Sequence, residues 1–231
     1  MQAEGLVAFR VVVRETDLHI QAECDLSAEA RAATERAREI LERHIAAHPE
    51  FRASLKPLAV PGPMPPLLQR MYNAATAAGV GPMAAVAGAV AEFVGRELLR
   101  ETGQVIVENG GDIFLKTDAE RVIAVDAGRS PLSGKVGLRI PAGSTLGVCT
   151  SSATVGPSLS LGKADAALIV AEDAAFADAA ASALGNRVGT AQDIEPALAF
   201  IRELPGVLHA LIIIDDRLGT WGQFDLTKVR P

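Results

Sequence analysis

The chain has 231 residues and a formal net charge of -6; 49% of its residues are hydrophobic but only 4% are aromatic. Such a length supports a sizeable core, here built from Ala, Val, Leu and Ile rather than from aromatic layers. With no basic cluster to offset the acidic balance, nucleic acid is excluded as an expected partner.

The opening segment, MQAEGLVAF, lacks a positive stretch followed by a long apolar core, so no export signal is expected and the predicted location is cytoplasmic. Cys24 and Cys149 are far apart and form no CxxC pair, which fits a reducing compartment. The most apolar long stretch, Val80 to Val94, is too short to span a bilayer and carries Glu92, so no membrane association is expected.

Leu6 to Val13 is apolar and β-branched and reads as a strand. After a polar turn, Leu18 to Cys24 alternates and reads as its hairpin partner. Ser27 is read as the N-cap of a helix from Ala28 to about His48, with Ala33, Ala37, Ile40, Leu41 and Ile45 on one side. Residues 54–66 hold Pro57, Pro61, Pro63, Pro65 and Pro66, an extended crossover within a single domain. Pro65 and Pro66 open a helix to about Ala78, which Gly79 and Gly81-Pro82 break. The next helix, Met83 to Arg100, carries a stripe of small residues at Ala84, Gly88, Ala91 and Gly95 that permits close packing.

Gln104 to Glu108 and Ile113 to Lys116 are strands joined by the tight turn Asn109-Gly110-Gly111-Asp112. The bland reading of that turn is a hairpin needing positive φ. The functional one is close backbone approach to a ligand, with Asp112 at its rim. Arg121 to Val125 and Lys135 to Ile140 continue a strand meander. Leu146 to Cys149 is a short apolar strand, followed by a hydroxyl-rich run: Thr150, Ser151, Ser152, Thr154, Ser158 and Ser160. Ala164 to Ala171 reads as a buried strand. Asp173 is the expected N-cap of an almost all-Ala helix that Gly185 ends. Ile194 to Leu204 is a helix, and Val207 to Ile214 and Leu218 to Leu226 are strands. The order predicts an α+β fold with a largely antiparallel sheet and packed helices.

Asp178 and Ser182, four apart on the Ala-rich helix, share a face and offer oxygen ligands to a hard cation. Otherwise both simply face solvent. His44 and His48 have zinc-like spacing but no third ligand nearby. Cys149 ends a strand, where a nucleophile or a buried small side chain would both fit. Walker, GxGxxG and GxSxG elements are absent.

Three segments occur together in a telling order: Gly88-Ala-Val-Ala-Glu92, Gly110-Gly-Asp-Ile113 and Ala177-Asp-Ala-Ala-Ala-Ser-Ala-Leu184. They resemble the GAIAKG-like helix, the GGDI turn and the ADALATAL-like helix of the ApbE superfamily, and the chain looks like its short cytoplasmic branch. The resemblance implies an ApbE-like, T-fold-like architecture that holds FAD and magnesium. It also implies transfer of FMN from FAD to a Thr or Ser hydroxyl of an acceptor protein, with release of AMP. It places the metal, and with it the catalytic role, at Asp178, with Ser182 and the carbonyl of Ala91 as further ligands. Gly110, Gly111, Asp112, Ser151, Ser152, Thr154 and Lys163 would then contact a phosphorylated flavin, FAD or FMN. The chain departs from the family at Glu92, where the motif has Lys, and at Phe93, where it has Gly. The segment Gly156 to Lys163 lacks the family's His-x-x-Asp-Pro. Two alternatives stand beside the transferase: a non-catalytic flavin or nucleotide binder, and an accessory protein of sulfur assimilation and homocysteine formation. The small-residue helices and β-rich strands further suggest a homo-oligomer.

Overall fold

The computed structural model describes residues 3–155 and 160–229. Gly156, Pro157 and Ser158 of the hydroxyl-rich run therefore lie outside the described residues.

The chain opens with β1 (Val7–Val13) and β2 (Thr16–Ala22), joined by a turn in which Arg14 has φ 53°. Then come α1 (Ser27–Ala47), the short α2 (Glu50–Ala53), α3 (Pro66–Ala78) and α4 (Val86–Leu98). The strands β3 (Val105–Asn109), β4 (Asp112–Thr117), β5 (Arg121–Ala124), β6 (Val136–Ile140), β7 (Ser144–Ser151) and β8 (Ala166–Ala171) follow. The chain ends with α5 (Ala174–Gly185), α6 (Ile194–Arg202), β9 (Val207–Ile214), β10 (Arg217–Gly222) and β11 (Leu226–Lys228).

Among the described residues, eight strands form one sheet in the order β1-β2-β3-β4-β7-β8-β9-β10, antiparallel at every pairing. The remaining three form a separate sheet, β11-β6-β5. The expected α+β class and antiparallel sheet are thus observed. The meander expected at β5 and β6, however, does not extend the main sheet. It folds back over the outer face, where Val125, Leu138 and Ile140 pack on Leu115, Leu146, Leu168 and Leu211. For the same reason the expected final strand, Leu218 to Leu226, is broken. It leaves the main sheet at Gly222, whose φ of 129° lets the chain turn, and β11 joins the small sheet. Helices cover the opposite face, so the inner strands are buried on both sides. In β8, Ala167 and Ile169 face the helices while Leu168 and Val170 face the small sheet. This explains a continuous apolar run where a half-buried strand would alternate.

Close contacts set the helix positions. A Cβ on Gly147 would fall 2.4 Å from the Ala174 Cα, so α5 rests directly on the backbone of β7. A Cβ on Gly88 would lie 2.2 Å from the Ala174 carbonyl oxygen, so α4 and α5 touch at the same point. Gly95 instead receives the ring of Phe114. The small-residue stripe of α4 therefore serves two neighbours, a helix and the sheet.

Several helix ends differ from expectation. Ser27 is the first helical residue rather than the N-cap; its N–H is held by Asp25, 2.9 Å away. The helix expected from Met83 starts as a 3-10 turn, Pro82–Ala85, and is α-helical only from Val86. Gly185 is the last residue of α5 and not a left-handed cap; the cap is Asn186, at φ -62°. The Gly185 carbonyl is where Gly162 packs: a Cβ on Gly162 would fall 2.0 Å from the Gly185 carbonyl oxygen. Asp173 does cap α5, accepting a hydrogen bond of 3.0 Å from the N–H of Phe176.

Candidate functional site

The contact of α4 with α5 brings Asp178 against the first turn of α4, where peptide N–H groups have no helical partner. One carboxylate oxygen of Asp178 accepts from the Gly88 N–H at 2.9 Å, and the Ala87 N–H also bonds the carboxylate. Asp178 is thus not on a solvated face; it is 9% exposed. Burial raises its pKa to about 7, against the two peptide N–H groups, which favour the charged form.

The β3–β4 hairpin closes on the same place. Gly110 and Gly111 have φ of 65° and 103°, and a Cβ on either would meet no atom within 4 Å. They are conformational glycines of a two-residue turn. The Asn109 amide donates to the Ala87 carbonyl at 3.1 Å, which ties the turn to the end of α4 that holds Asp178. Asp112, expected at the rim of this turn, is instead enclosed at 8% exposure and pairs across the ladder with Cys149. Burial, then the Asp178 charge, pushes its pKa well above the usual range, while the Cys149 thiol and the Thr150 N–H act the other way. Cys149 is fully buried, and burial followed by the two carboxylates drives its thiol pKa well up. Its sulfur faces the Ala174 carbonyl at 3.4 Å. Such a thiol stays protonated and enclosed, the opposite of an activated nucleophile.

Ser182 lies one turn beyond Asp178, half-buried, and its hydroxyl bonds no described residue. Ser151 turns its hydroxyl toward the end of the same helix, 3.3 Å from where a Cβ of Gly185 would sit. Ala91 is fully buried in the interior of α4, where its carbonyl belongs to the helical ladder; the contacts to Asp178 come from the preceding turn.

The other hydroxyls do not converge there. Ser152 accepts from the N–H groups of Thr154 and Val155 at 3.1 and 3.0 Å, closing a local turn. Thr154 donates to Asp165 at 3.2 Å, and Asp165 also accepts from the Asp215 N–H at 2.7 Å. Lys163 is exposed and lines a cleft of about 590 Å³ with Arg129, Thr190 and Asp216, past the C-terminal end of α5. The expected ligand residues therefore fall into two groups, one around Asp178 and one around Lys163.

Glu92, one of the residues that depart from the ApbE motif, has a clear structural part. It is 1% exposed and accepts from Arg70 at 2.9 Å, Arg96 at 2.6 Å and the Ala174 N–H at 2.8 Å. Arg70 also reaches Asp173, at 2.5 Å. Glu92 thus joins α3 and α4 to the N-terminus of α5, a favourable place for negative charge. Sequence reasoning missed this network; the spacing of Glu92 and Arg96 was its only local sign. The histidine pair is not a metal site. His44 bonds the Tyr72 hydroxyl at 3.0 Å and packs among His48, Phe51 and Tyr72.

Among the described residues no group of three or more His, Cys, Asp or Glu side chains is placed to hold a metal. A cation at Asp178 would rely on carboxylate, hydroxyl and backbone oxygens, with ligand or water oxygens completing its shell. That donor set suits magnesium rather than zinc. The residues fit, because Asp178 is buried with no cationic side chain to compensate it.

An eight-stranded antiparallel sheet with α4 and α5 crossing on one face and a small sheet on the other defines an ApbE-like fold. The flavin transferase ApbE from Vibrio cholerae superimposes with a TM-score of 0.55 at 13% identity, over 94% of this chain and 96% of that one. The ApbE protein of Thermotoga maritima does so with a TM-score of 0.53 at 14% identity, over 93% and 96%. The family model described as "AbpE bacteria" matches residues 1–204. A UPF0280 protein of Methanocella arvoryzae is 46% identical over 191 residues, 81% of this chain and 77% of that relative. A UPF0280 protein of Methanosarcina acetivorans is 39% identical over 214 residues, 91% and 85%. The chain belongs to this ApbE-related family and is a relative of these UPF0280 proteins.

Proposed function

We propose that this protein binds a phosphorylated flavin, FAD or FMN, through a magnesium ion at Asp178 and Ser182, and transfers the FMN part of FAD to an acceptor hydroxyl. The observation that carries this reading is Asp178 itself: an enclosed carboxylate, held by two peptide N–H groups, with no cationic side chain against it. The fold shared with flavin transferases supports the choice of ligand. Asp178 holds the cation, Ser182 adds a neutral oxygen and Ser151 lines the approach. A bound magnesium would offset the buried charge and attract phosphate oxygens. Seven residues of helix, a rise of roughly 10 Å, separate Asp178 from Gly185. An extended ligand lying along that half of α5 would meet the carboxylate at one end and Lys163 at the other. Free Cys24 and Cys149 are consistent with a cytoplasmic setting.

The test is release of AMP from FAD in the presence of magnesium and a Ser- or Thr-containing acceptor protein, and its loss in Asp178→Asn. A second reading, binding without transfer, draws on Glu92. The position where the motif carries Lys is occupied by a carboxylate fully used in holding three helices together. Saturable, magnesium-dependent FAD binding with no AMP release would select it. The enclosed, protonated Cys149 gives no support to a sulfur-handling role.

A further inference from the structure

We propose that Asp112 is a second carboxylate ligand of the cation at Asp178, so that the two aspartates together neutralise one divalent ion. This rests on the cation part of the reading above and assigns the GGD turn a task beyond contacting the flavin.

The first observation is an orphan atom. Among the described residues only two buried side-chain polar atoms lack a hydrogen-bond partner, Arg38 Nε and Asp112 Oδ1. A buried carboxylate oxygen without a donor is costly, and folded proteins rarely leave one. Asp178 is close enough that its negative charge is the foremost neighbouring group disturbing the Asp112 carboxyl.

Charge balance is the second observation. The ion pairs of the described residues reach Glu92, Asp173 and many surface carboxylates, but none reaches Asp112 or Asp178. Two neighbouring carboxylates enclosed without a cation repel each other in a medium that screens poorly. A divalent ion between them removes both the repulsion and the orphan oxygen.

The third is that one framework positions both groups. Asn109 bonds the Ala87 carbonyl, and the N–H groups of Ala87 and Gly88 bond Asp178. Asn109 is the ladder partner of Asp112, across the two-glycine turn. The turn that aims Asp112 is therefore fastened to the helix end that aims Asp178. This rigidity is what a metal site needs from its surroundings.

The probe is manganese, titrated calorimetrically into the unsubstituted protein, Asp112→Asn, Asp178→Asn and Ser182→Ala, without nucleotide. Asp112→Asn should weaken manganese binding at least tenfold, as Asp178→Asn does, with a smaller loss for Ser182→Ala. The metal-free Asp112→Asn protein should melt no lower than the parent, since Asn keeps the side-chain volume and removes an ionisable group that burial and Asp178 disfavour. In the unsubstituted protein, magnesium should perturb the infrared carboxylate bands of two isotopically labelled aspartates; this arm needs no variant to fold. Unchanged manganese affinity in Asp112→Asn, with loss in Asp178→Asn, would refute the role of Asp112 and leave the Asp178 reading standing. Perturbation of one aspartate only would do the same. Equal binding by all four proteins would refute both assignments, and FAD binding could then be tested separately without metal.

Discussion

Replacing Asp178 by Asn keeps the side-chain volume and removes a buried charge, so its effect on stability should depend on pH. The native pKa is about 7 against 3.8 for a free aspartate. Between those values the native state holds a proton that the unfolded state has lost. Stability of the metal-free parent is therefore undiminished by this group below about pH 4 and falls as pH rises toward 7. At about 1.4 kcal/mol per pH unit, the full effect is about 4 kcal/mol at most. Asn has no such term, and its removal of negative charge also relieves Asp112. The metal-free variant should match the parent near pH 4, apart from any loss at the Ala87 N–H. It should be more stable at pH 8, by up to roughly 8–16 °C in thermal midpoint for a chain of this size. Saturating magnesium should close the gap by stabilising the parent alone. The assay is thermal unfolding of both proteins across pH 4 to 8, with chelator and with magnesium. Parallel pH profiles in chelator would refute the claim that Asp178 is an enclosed, uncompensated carboxylate.

Glu92→Ala should destabilise by about 3–5 kcal/mol, because it strands Arg70, Arg96 and the Ala174 N–H around a vacated buried site; chemical denaturation measures it. His209 accepts from the Phe224 N–H at 3.3 Å through Nδ1 and meets Thr220 at 2.9 Å through Nε2, so it is held neutral. Burial lowers its pKa from 6.5 to about 4. The unfolded state then takes up the proton first, and about 3 kcal/mol of stability should be lost as pH falls from about 6.5 to 4. An NMR titration should show the imidazole unprotonated at pH 5.5, and a protonated ring there would contradict it. Gly147→Ala places a methyl 2.4 Å from the Ala174 Cα and should fail to fold or lose several kcal/mol. Gly79→Ala, with open space at φ 73°, should cost only about 1 kcal/mol. Similar denaturation midpoints for these two variants would show that α5 is not seated on β7 as described.

Most elements were readable from local pattern. The apolar run at Ala164 to Ala171 announced a buried strand, Asp173 announced the start of α5, and the two glycines at 110 and 111 announced a hairpin. The i, i+4 spacing put Asp178 and Ser182 on one face of a helix. These features are set by neighbours within a few residues, where sequence and structure carry the same information. Which strands share a sheet was not readable. Residues 121–124 and 136–140 have ordinary strand composition, and only packing against Leu168 and Leu211 assigns them to the outer layer. The site depended on tertiary structure still more. Asp112 and Asp178 are 66 positions apart in sequence, and neither position alone says whether its carboxylate meets water. Their burial follows from Gly88 and Gly147, which let α4, α5 and β7 approach at backbone distance. The sequence by itself determined most of the elements and the motif residues. The contact of those three backbones decided which carboxylates are enclosed, because burial and charge coupling exist only once distant segments have packed.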